Sequence, residues 1–260
     1  MNTLIITPAR YDSTRFPGKP LAQLGGREII LRVMDRIIDA GYPAVVATDD
    51  ERILTSVESA GYQAVMTSRS HHSGTDRVCE ALGSVESATG EKYDIVINVQ
   101  GDEPFIDTDQ IRLLESCFED PSVDIATLSR PFPKGGDIKV LEDPNLVKLV
   151  KSPQGNALYF SRSVIPYIRG VDKEEWTTRH QFHTHIGVYG YRAEVLREIT
   201  RLPRTPLEKA ESLEQLRWLE NGYSIRVAES NSSNIGIDTP EDLAAAEVYL
   251  QEISQRQNKA

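Results

Sequence analysis

The residues able to do chemistry crowd into a few short stretches. The first, PARYDSTRFPGKP at residues 8–20, sets Arg10, Arg15 and Lys19 in a loop stiffened by Pro17 and Pro20, directly after the apolar run of residues 4–6. Two guanidiniums and one ammonium at the end of a strand can neutralise a polyphosphate, the arginines through bidentate contacts and the lysine as a point charge. The plain alternative is a solvated basic turn, but three cations so close together in an acidic chain favour an anion. The loop is no Walker A motif, because Pro20 and not Ser or Thr follows Lys19, and Gly25-Gly26 make no dinucleotide fingerprint.

The second stretch, NVQGDEP at residues 98–104, puts Asp102 just past the apolar run 95–99. A carboxylate at a strand end can hold a hard divalent cation, and Mg2+ takes one or two carboxylates together with phosphate oxygens. Asp238, ahead of the last helical segment, is the candidate for the second. Taken singly, Asp102 reads equally well as a turn residue and Asp238 as an aid to a helix cap; beside the cationic loop they gain a metal reading. The third stretch, HHSGTDR at residues 71–77, gathers Ser73, Gly74, Thr75 and Arg77, which could hydrogen-bond a base or ribose and also read as a capped helix N-terminus.

Two further candidates are weaker. His183 and His185 alternate along a strand-like segment and share a face, but a zinc site would need ligands that no spacing supplies. Glu214 and Gln215 lie on a helical pattern at residues 206–221, with Glu211 and Trp218 at neighbouring positions. No nucleophile elbow and no Cys–His set is present, so covalent acyl chemistry has no support.

The elements that must position these residues alternate. Strand-like runs at 3–7, 44–48, 64–67, 94–99 and 123–128 are separated by amphipathic stretches such as 28–40 and 108–119, the pattern of βαβ units and a mostly parallel sheet. In such sheets ligands sit beyond the carboxyl ends of the strands, where all three polar stretches fall. Residues 146–151, 157–160 and 184–191 read as strands without a long helix between them, an antiparallel element interrupting the wound sheet. The pattern 206–221 reads as one helix stopped by Gly222, followed by a strand at 225–229. The last helix opens on DTPEDL, with Thr239 as N-cap, Pro240 at its first position and Asp242 closing a capping box. The tail 255–260 reads as frayed. The expected organisation is one domain over 1–260, with roughly 130–205 as an inserted subdomain.

Taken together and in order, PARYDSTRFPGKPL, VATDD, HHSGTDR, NVQGDEP, ALYFSRSVIP, HIGVYGYR, LEKAESLEQLRWLENG and GIDTPEDL resemble the 3-deoxy-D-manno-octulosonate (Kdo) cytidylyltransferases over almost the whole chain. The resemblance implies a Rossmann-like, mostly parallel mixed α/β sheet flanked by helices with a smaller antiparallel element, roughly 130–205, serving sugar binding and dimerisation, a homodimer, and Mg2+-dependent joining of CTP and Kdo with release of pyrophosphate. Carried over by motif, it assigns the nucleotide to Ala9, Arg10, Arg15, Lys19, Ser73, Gly74, Arg77 and Gln100. It assigns the sugar to Gln100, Arg162, His185, Tyr189, Glu214 and Gln215, the metal to Asp102 and Asp238, and catalysis to these two with Arg10 and Lys19. An 8-amino analogue of Kdo, another sugar acid, or a nucleotide-binding regulator without catalysis are the alternatives.

Composition bounds the class. At 260 residues with a formal net charge of −10, the chain has no global field to draw in nucleic acid. Its 2 cysteines match neither a zinc motif nor a disulfide framework, which fits a reducing compartment. No run approaches the ~20 apolar residues of a membrane span and no leader pattern opens the sequence, so the expectation is a soluble cytoplasmic protein without a membrane partner.

Overall fold

The computed structural model describes residues 1–12, 14–71, 73–232 and 235–257. Two compact units form, Met1–Asp109 with Ser233–Ala260, and Gln110–Ser232. The segment 130–205, set apart by its antiparallel signature, lies inside the second unit. His72 of HHSGTDR and the end of the 255–260 tail fall outside the described residues.

In the first unit, β1 (Thr3–Ala9) is an apolar strand buried on both faces. A loop and a 3-10 turn (Lys19–Leu21) lead to a small hairpin, β2 (Gln23–Leu24) and β3 (Arg27–Glu28). Gly25 and Gly26 take φ of 57° and 73° between these strands, a region that glycine enters without steric cost. The chain then winds through α1 (Ile29–Asp39), β4 (Ala44–Thr48), α2 (Glu51–Ser59), β5 (Gln63–Met66), α3 (Gly74–Thr89) and β6 (Ile95–Asn98). The strands lie in the order β6-β1-β4-β5 and every pairing is parallel. This is the alternation read from the sequence, with the polar stretches at the carboxyl ends.

After α4 (Thr108–Ser116), whose predicted last turn is a separate 3-10 turn, the chain enters the second unit. It contains β7 (Ile125–Pro131), α5 (Ile138–Leu141), β8 (Lys148–Lys151), β9 (Ala157–Ser161), α6 (Trp176–Arg179), β10 (His183–Arg192), α7 (Ala193–Ile199), α8 (Pro206–Glu211), α9 (Gln215–Glu220) and β11 (Ile225–Glu229). β11 runs parallel to β7; β7, β10, β8 and β9 pair antiparallel in that order. The expected single helix at 206–221 is two helices. Ser212 sits in the left-handed region (φ 51°, ψ 47°) between them, which costs a side chain about 1–2 kcal/mol and ends α8.

The last helix, α10 (Pro240–Gln257), belongs to the first unit and extends to within the tail that reads as frayed. Its capping box forms: Asp242 N–H donates to Thr239 Oγ1 at 3.2 Å, and Thr239 N–H donates to the Asp242 carboxylate at 2.9 Å. Ile237 and Ala246 pack with Leu24 and Ile29, and Phe16 of the basic loop packs against this cluster. Apolar contact thus brings the far end of the chain beside the opening loop.

Candidate active site

The basic loop is closed on itself. Gly18 N–H donates to the Tyr11 carbonyl at 2.9 Å, with Gly18 at φ 72°, and the 3-10 turn that follows half-buries the stem of Lys19. Lys19 Nζ then lies 2.6 Å from Asp102 Oδ2 and 3.1 Å from Asp238 Oδ1. Arg15 Nη2 lies 3.1 Å from Asp238 Oδ2. Two carboxylates separated by most of the chain therefore meet at one cation. A main-chain bond from Ile237 N–H to the Asp102 carbonyl, 2.9 Å, fixes the two acidic segments to each other.

Ahead of this cluster opens a cavity of 390 Å3 whose walls include Ala9, Arg10, Arg15, Lys19, Gly74, Arg77, Gln100 and Asp102. Residues the sequence did not single out, Pro8, Thr14 and Gly101 among them, complete it. The signal for Gly101 is steric: a Cβ there would lie 2.9 Å from the Pro8 carbonyl oxygen and 3.2 Å from Ile30 Cδ1, so β1 and the NVQGDEP turn touch only because this residue has no side chain. Gln100 Nε2 donates to Asn98 Oδ1 at 3.2 Å, and Arg10 Nη2 donates to the His71 carbonyl at 2.5 Å.

Ser73 and Asp76 make a reciprocal capping box at the start of α3. The positive end of the α3 dipole there suits an anion. Arg77, fully buried, is tied down: Nη2 donates to Asp49 Oδ2 at 2.6 Å and Nη1 donates to Thr67 Oγ1. Burial pushes its pKa down and Asp49 opposes that push. Asp49 and Asp50, adjacent in VATDD, have divided tasks, since Asp50 caps α2 and pairs with Arg52.

Of the sugar-assigned residues, Gln100 lies in the first unit and lines the cavity, and the other five fall in the second unit. His185 is half-buried, its Nε2 3.0 Å from Thr127 Oγ1 and its ring 5.1 Å and 5.3 Å from the centroids of Phe160 and Tyr189; desolvation pushes its pKa down to about 3, so it is a neutral imidazole. Burial likewise raises the Tyr189 hydroxyl well above its ordinary range. Gln215 and Trp218 are 5% and 1% exposed, and Gln215 Nε2 and Trp218 Nε1 find no hydrogen-bond partner among the described residues. Buried donors left unpaired are costly and are usually satisfied by something. Glu214 pairs with Arg217 across one helical turn; it no longer shares a helix with Glu211. Arg162, assigned by resemblance to the sugar carboxylate, directs its guanidinium at main-chain carbonyls: Nε to Glu211 at 2.6 Å, Nη1 to Pro144 at 2.8 Å and Nη2 to Ser212 at 3.4 Å.

The donor set fits magnesium. Asp102 and Asp238 supply oxygen ligands that already converge on a positive charge, and among the described residues no cluster of three or more His, Cys, Asp or Glu side chains competes as a metal site. Among the described residues His183 and His185 belong to no such cluster, and neither cysteine is in a disulfide. Among the described residues no helix is long and apolar enough to cross a membrane.

A parallel α/β unit with cations and convergent carboxylates at its strand ends has the make-up of a nucleotidyltransferase. The family model described as Cytidylyltransferase matches residues 4–227. Two relatives named 3-deoxy-manno-octulosonate cytidylyltransferase are each 54% identical to this chain: that of Phocaeicola vulgatus over 97% of this chain and 98% of its own, and that of Bacteroides thetaiotaomicron over 96% and 98%. A solved CMP:2-keto-3-deoxy-manno-octonic acid synthetase complexed with CTP matches with a TM-score of 0.87 at 37% identity, over 97% of this chain and 99% of that one. The chain belongs to the cytidylyltransferase family, among the 3-deoxy-manno-octulosonate cytidylyltransferases.

Proposed function

We propose that this chain transfers CMP from CTP to Kdo, giving CMP-Kdo and pyrophosphate for lipopolysaccharide assembly, with Mg2+ as its metal and as a cytoplasmic homodimer. The observation that carries the reading is the convergence of Lys19, Arg15, Asp102 and Asp238 beside a cavity lined by Arg10. That set matches what phosphoryl transfer asks of a protein, which is positioning and charge neutralisation more than covalent chemistry.

The anomeric hydroxyl of Kdo attacks the α-phosphorus of CTP in line; a carbon–oxygen–phosphorus link forms, the hydroxyl proton passes to solvent, the bond to the β-phosphate breaks, and pyrophosphate leaves with its electron pair. Arg10, Arg15 and Lys19 hold the triphosphate and meet the charge that builds on the leaving group. Asp102 and Asp238 would hold Mg2+, which supplies charge neutralisation at the phosphoryl oxygens when bound. Ala9, Ser73, Gly74 and Gln100 shape the nucleotide site, while the Arg77–Asp49 pair keeps α3 and the end of β4 in register behind it. Neutral His185, with Tyr189, Glu214 and Gln215, hydrogen-bonds the sugar.

The test is pyrophosphate release from CTP with Mg2+ and Kdo, with ATP, UTP, EDTA and N-acetylneuraminic acid as controls. Release that needs CTP, metal and Kdo together is the expected result. Equal release with ATP or N-acetylneuraminic acid, or release unaffected by EDTA, would overturn the corresponding part.

A further inference from the structure

The break between α8 and α9 has no local cause. Helices commonly end on a left-handed residue, but that residue is usually glycine, and here it is Ser212. Among the described residues Ser212 is the one non-glycine with positive φ. Such a conformation persists only where the surroundings impose it.

The surroundings are a reciprocal clasp between the end of β9 and the end of α8. The Glu211 carboxylate accepts from Ser161 Oγ at 2.6 Å and from Arg162 N–H at 2.9 Å. In return Arg162 Nε donates to the Glu211 carbonyl at 2.6 Å and Nη2 donates to the Ser212 carbonyl at 3.4 Å, the carbonyls left without helical partners where α8 stops. Lys148, wholly buried, locks the other side by donating from Nζ to the Arg162 and Asp143 carbonyls; desolvation lowers its pKa. Three residues after the break begins α9 at Gln215, whose buried amide nitrogen finds no partner among the described residues, with Glu214 just before it. Were 206–221 the continuous helix its pattern favours, Glu214 and Gln215 would point elsewhere.

We propose that Glu211 is a positioning residue for the sugar acid: through Ser161 and Arg162 it holds Ser212 in the left-handed conformation and so aims Glu214 and Gln215. The proposal rests on the sugar-acid reading above. It is distinct from direct binding, since Glu211 faces the protein's own donors.

Glu211→Ala is expected to raise the KM for Kdo about tenfold while leaving that for CTP within about twofold. Glu211→Gln, which keeps an acceptor for Arg162 N–H, should stay within about threefold of the parent in both. The decisive variant is Glu211→Ala with Ser212→Gly, because glycine enters the left-handed region unaided and should restore Kdo KM to within about threefold. Hydrogen exchange over residues 206–221, measured without substrate, should follow the same order: faster in Glu211→Ala, parental in the double variant. An unchanged Kdo KM in Glu211→Ala, an equal rise for both substrates, or failure of Ser212→Gly to restore KM and exchange would overturn the proposal. Should Glu211→Ala not fold, exchange in Ser161→Ala, which removes one donor to the Glu211 carboxylate, against Ser161→Ala with Ser212→Gly decides: faster exchange in the first and parental in the second is expected, and parental exchange in Ser161→Ala, or no reversal in the double variant, would overturn the proposal. If the parent protein is silent with Kdo, the substrate reading fails and exchange alone judges the clasp.

Discussion

Lys19 stands at the point where Asp102 and Asp238 converge, and replacing it by glutamine should move two affinities in opposite directions. In the resting site the ammonium makes charge-assisted bonds of 2.6 Å and 3.1 Å to the two carboxylates. Bonds to charged groups contribute about 1.5–3 kcal/mol net when shielded. The Asp238 side chain is 49% exposed, so its share belongs with surface pairs at about 0–1 kcal/mol; Asp102, at 29%, keeps most of its own. A divalent cation entering alone therefore displaces about 2–3 kcal/mol of ion pairing. Without the ammonium that barrier is gone, and Lys19→Gln should bind Mn2+ alone roughly ten- to a hundredfold tighter than the parent. The same variant should bind CTP without metal at least about tenfold more weakly, through loss of one charged phosphate contact. Titration of the free Mn2+ electron paramagnetic resonance signal reads the first quantity, and calorimetry in the presence of chelator reads the second. Mn2+ binding no tighter in Lys19→Gln than in the parent would refute the reasoning.

Asp102→Asn keeps an acceptor for Lys19 but removes half the metal charge complement, so turnover should fall at least about a hundredfold with the fold retained and the unfolding midpoint lowered by only a few degrees as a charged bond becomes a neutral one; kcat together with a thermal melt checks this. Gly101→Ala forces a Cβ to 2.9 Å from the Pro8 carbonyl, and a loss of about 1–3 kcal/mol is expected in urea unfolding, with weaker CTP binding as β1 shifts. His185, held down to about 3 by desolvation, is neutral in the fold but takes a proton in the unfolded chain below about pH 6.5. Its contribution is full above that pH and is lost on acidification at up to about 1.4 kcal/mol per unit until the folded value is reached, so His185→Gln should flatten the stability slope between about pH 6 and 4.5. His183, lowered for the same reason, adds a smaller slope of the same sign that this variant leaves in place.

What the sequence disclosed and what it hid follow from the range of the forces involved. Alternating apolar runs and amphipathic stretches report a local decision, whether a segment buries two faces or one, and β4 and β11 fall where the pattern puts them. Asp102, Lys19 and Arg10 were legible because polar, charged residues directly after buried strands have few structural reasons to be there. Asp238 was legible only through its neighbour Thr239, whose cap announces where α10 begins. Hidden were the features set by partners distant in the chain. Arg77 reads as a free cation until Asp49, 28 positions away, is seen to hold it. Residues 206–221 keep helical periodicity throughout, and the break at Ser212 is imposed from β9, some 49 positions earlier, by groups no window over the helix contains. The hairpin at Gly25-Gly26 was not read from the sequence, because its strands are too short to carry an alternating pattern.

The charges about the cavity suggest why this chain should take nucleotide and metal together. Arg10, Arg15 and Lys19 stand against Asp12, Asp102 and Asp238, while Arg77 is held by Asp49, and in the resting site much of this charge is already paired internally. A triphosphate arriving alone would draw off Arg15 and Lys19 and leave two facing carboxylates uncompensated. A divalent cation arriving alone would take the carboxylates and leave the cations without partners. Each ligand therefore removes the cost that opposes the other, which is positive coupling, and linkage requires the same factor in both directions. After correction for the association of CTP with the metal in solution, the metal should tighten CTP binding by the factor by which CTP tightens the metal. Asp238→Asn, which releases Arg15 and half of Lys19 at once, should shrink that factor from both sides. Independent binding in the parent protein would mean that the ion pairs of the resting site do not oppose either ligand.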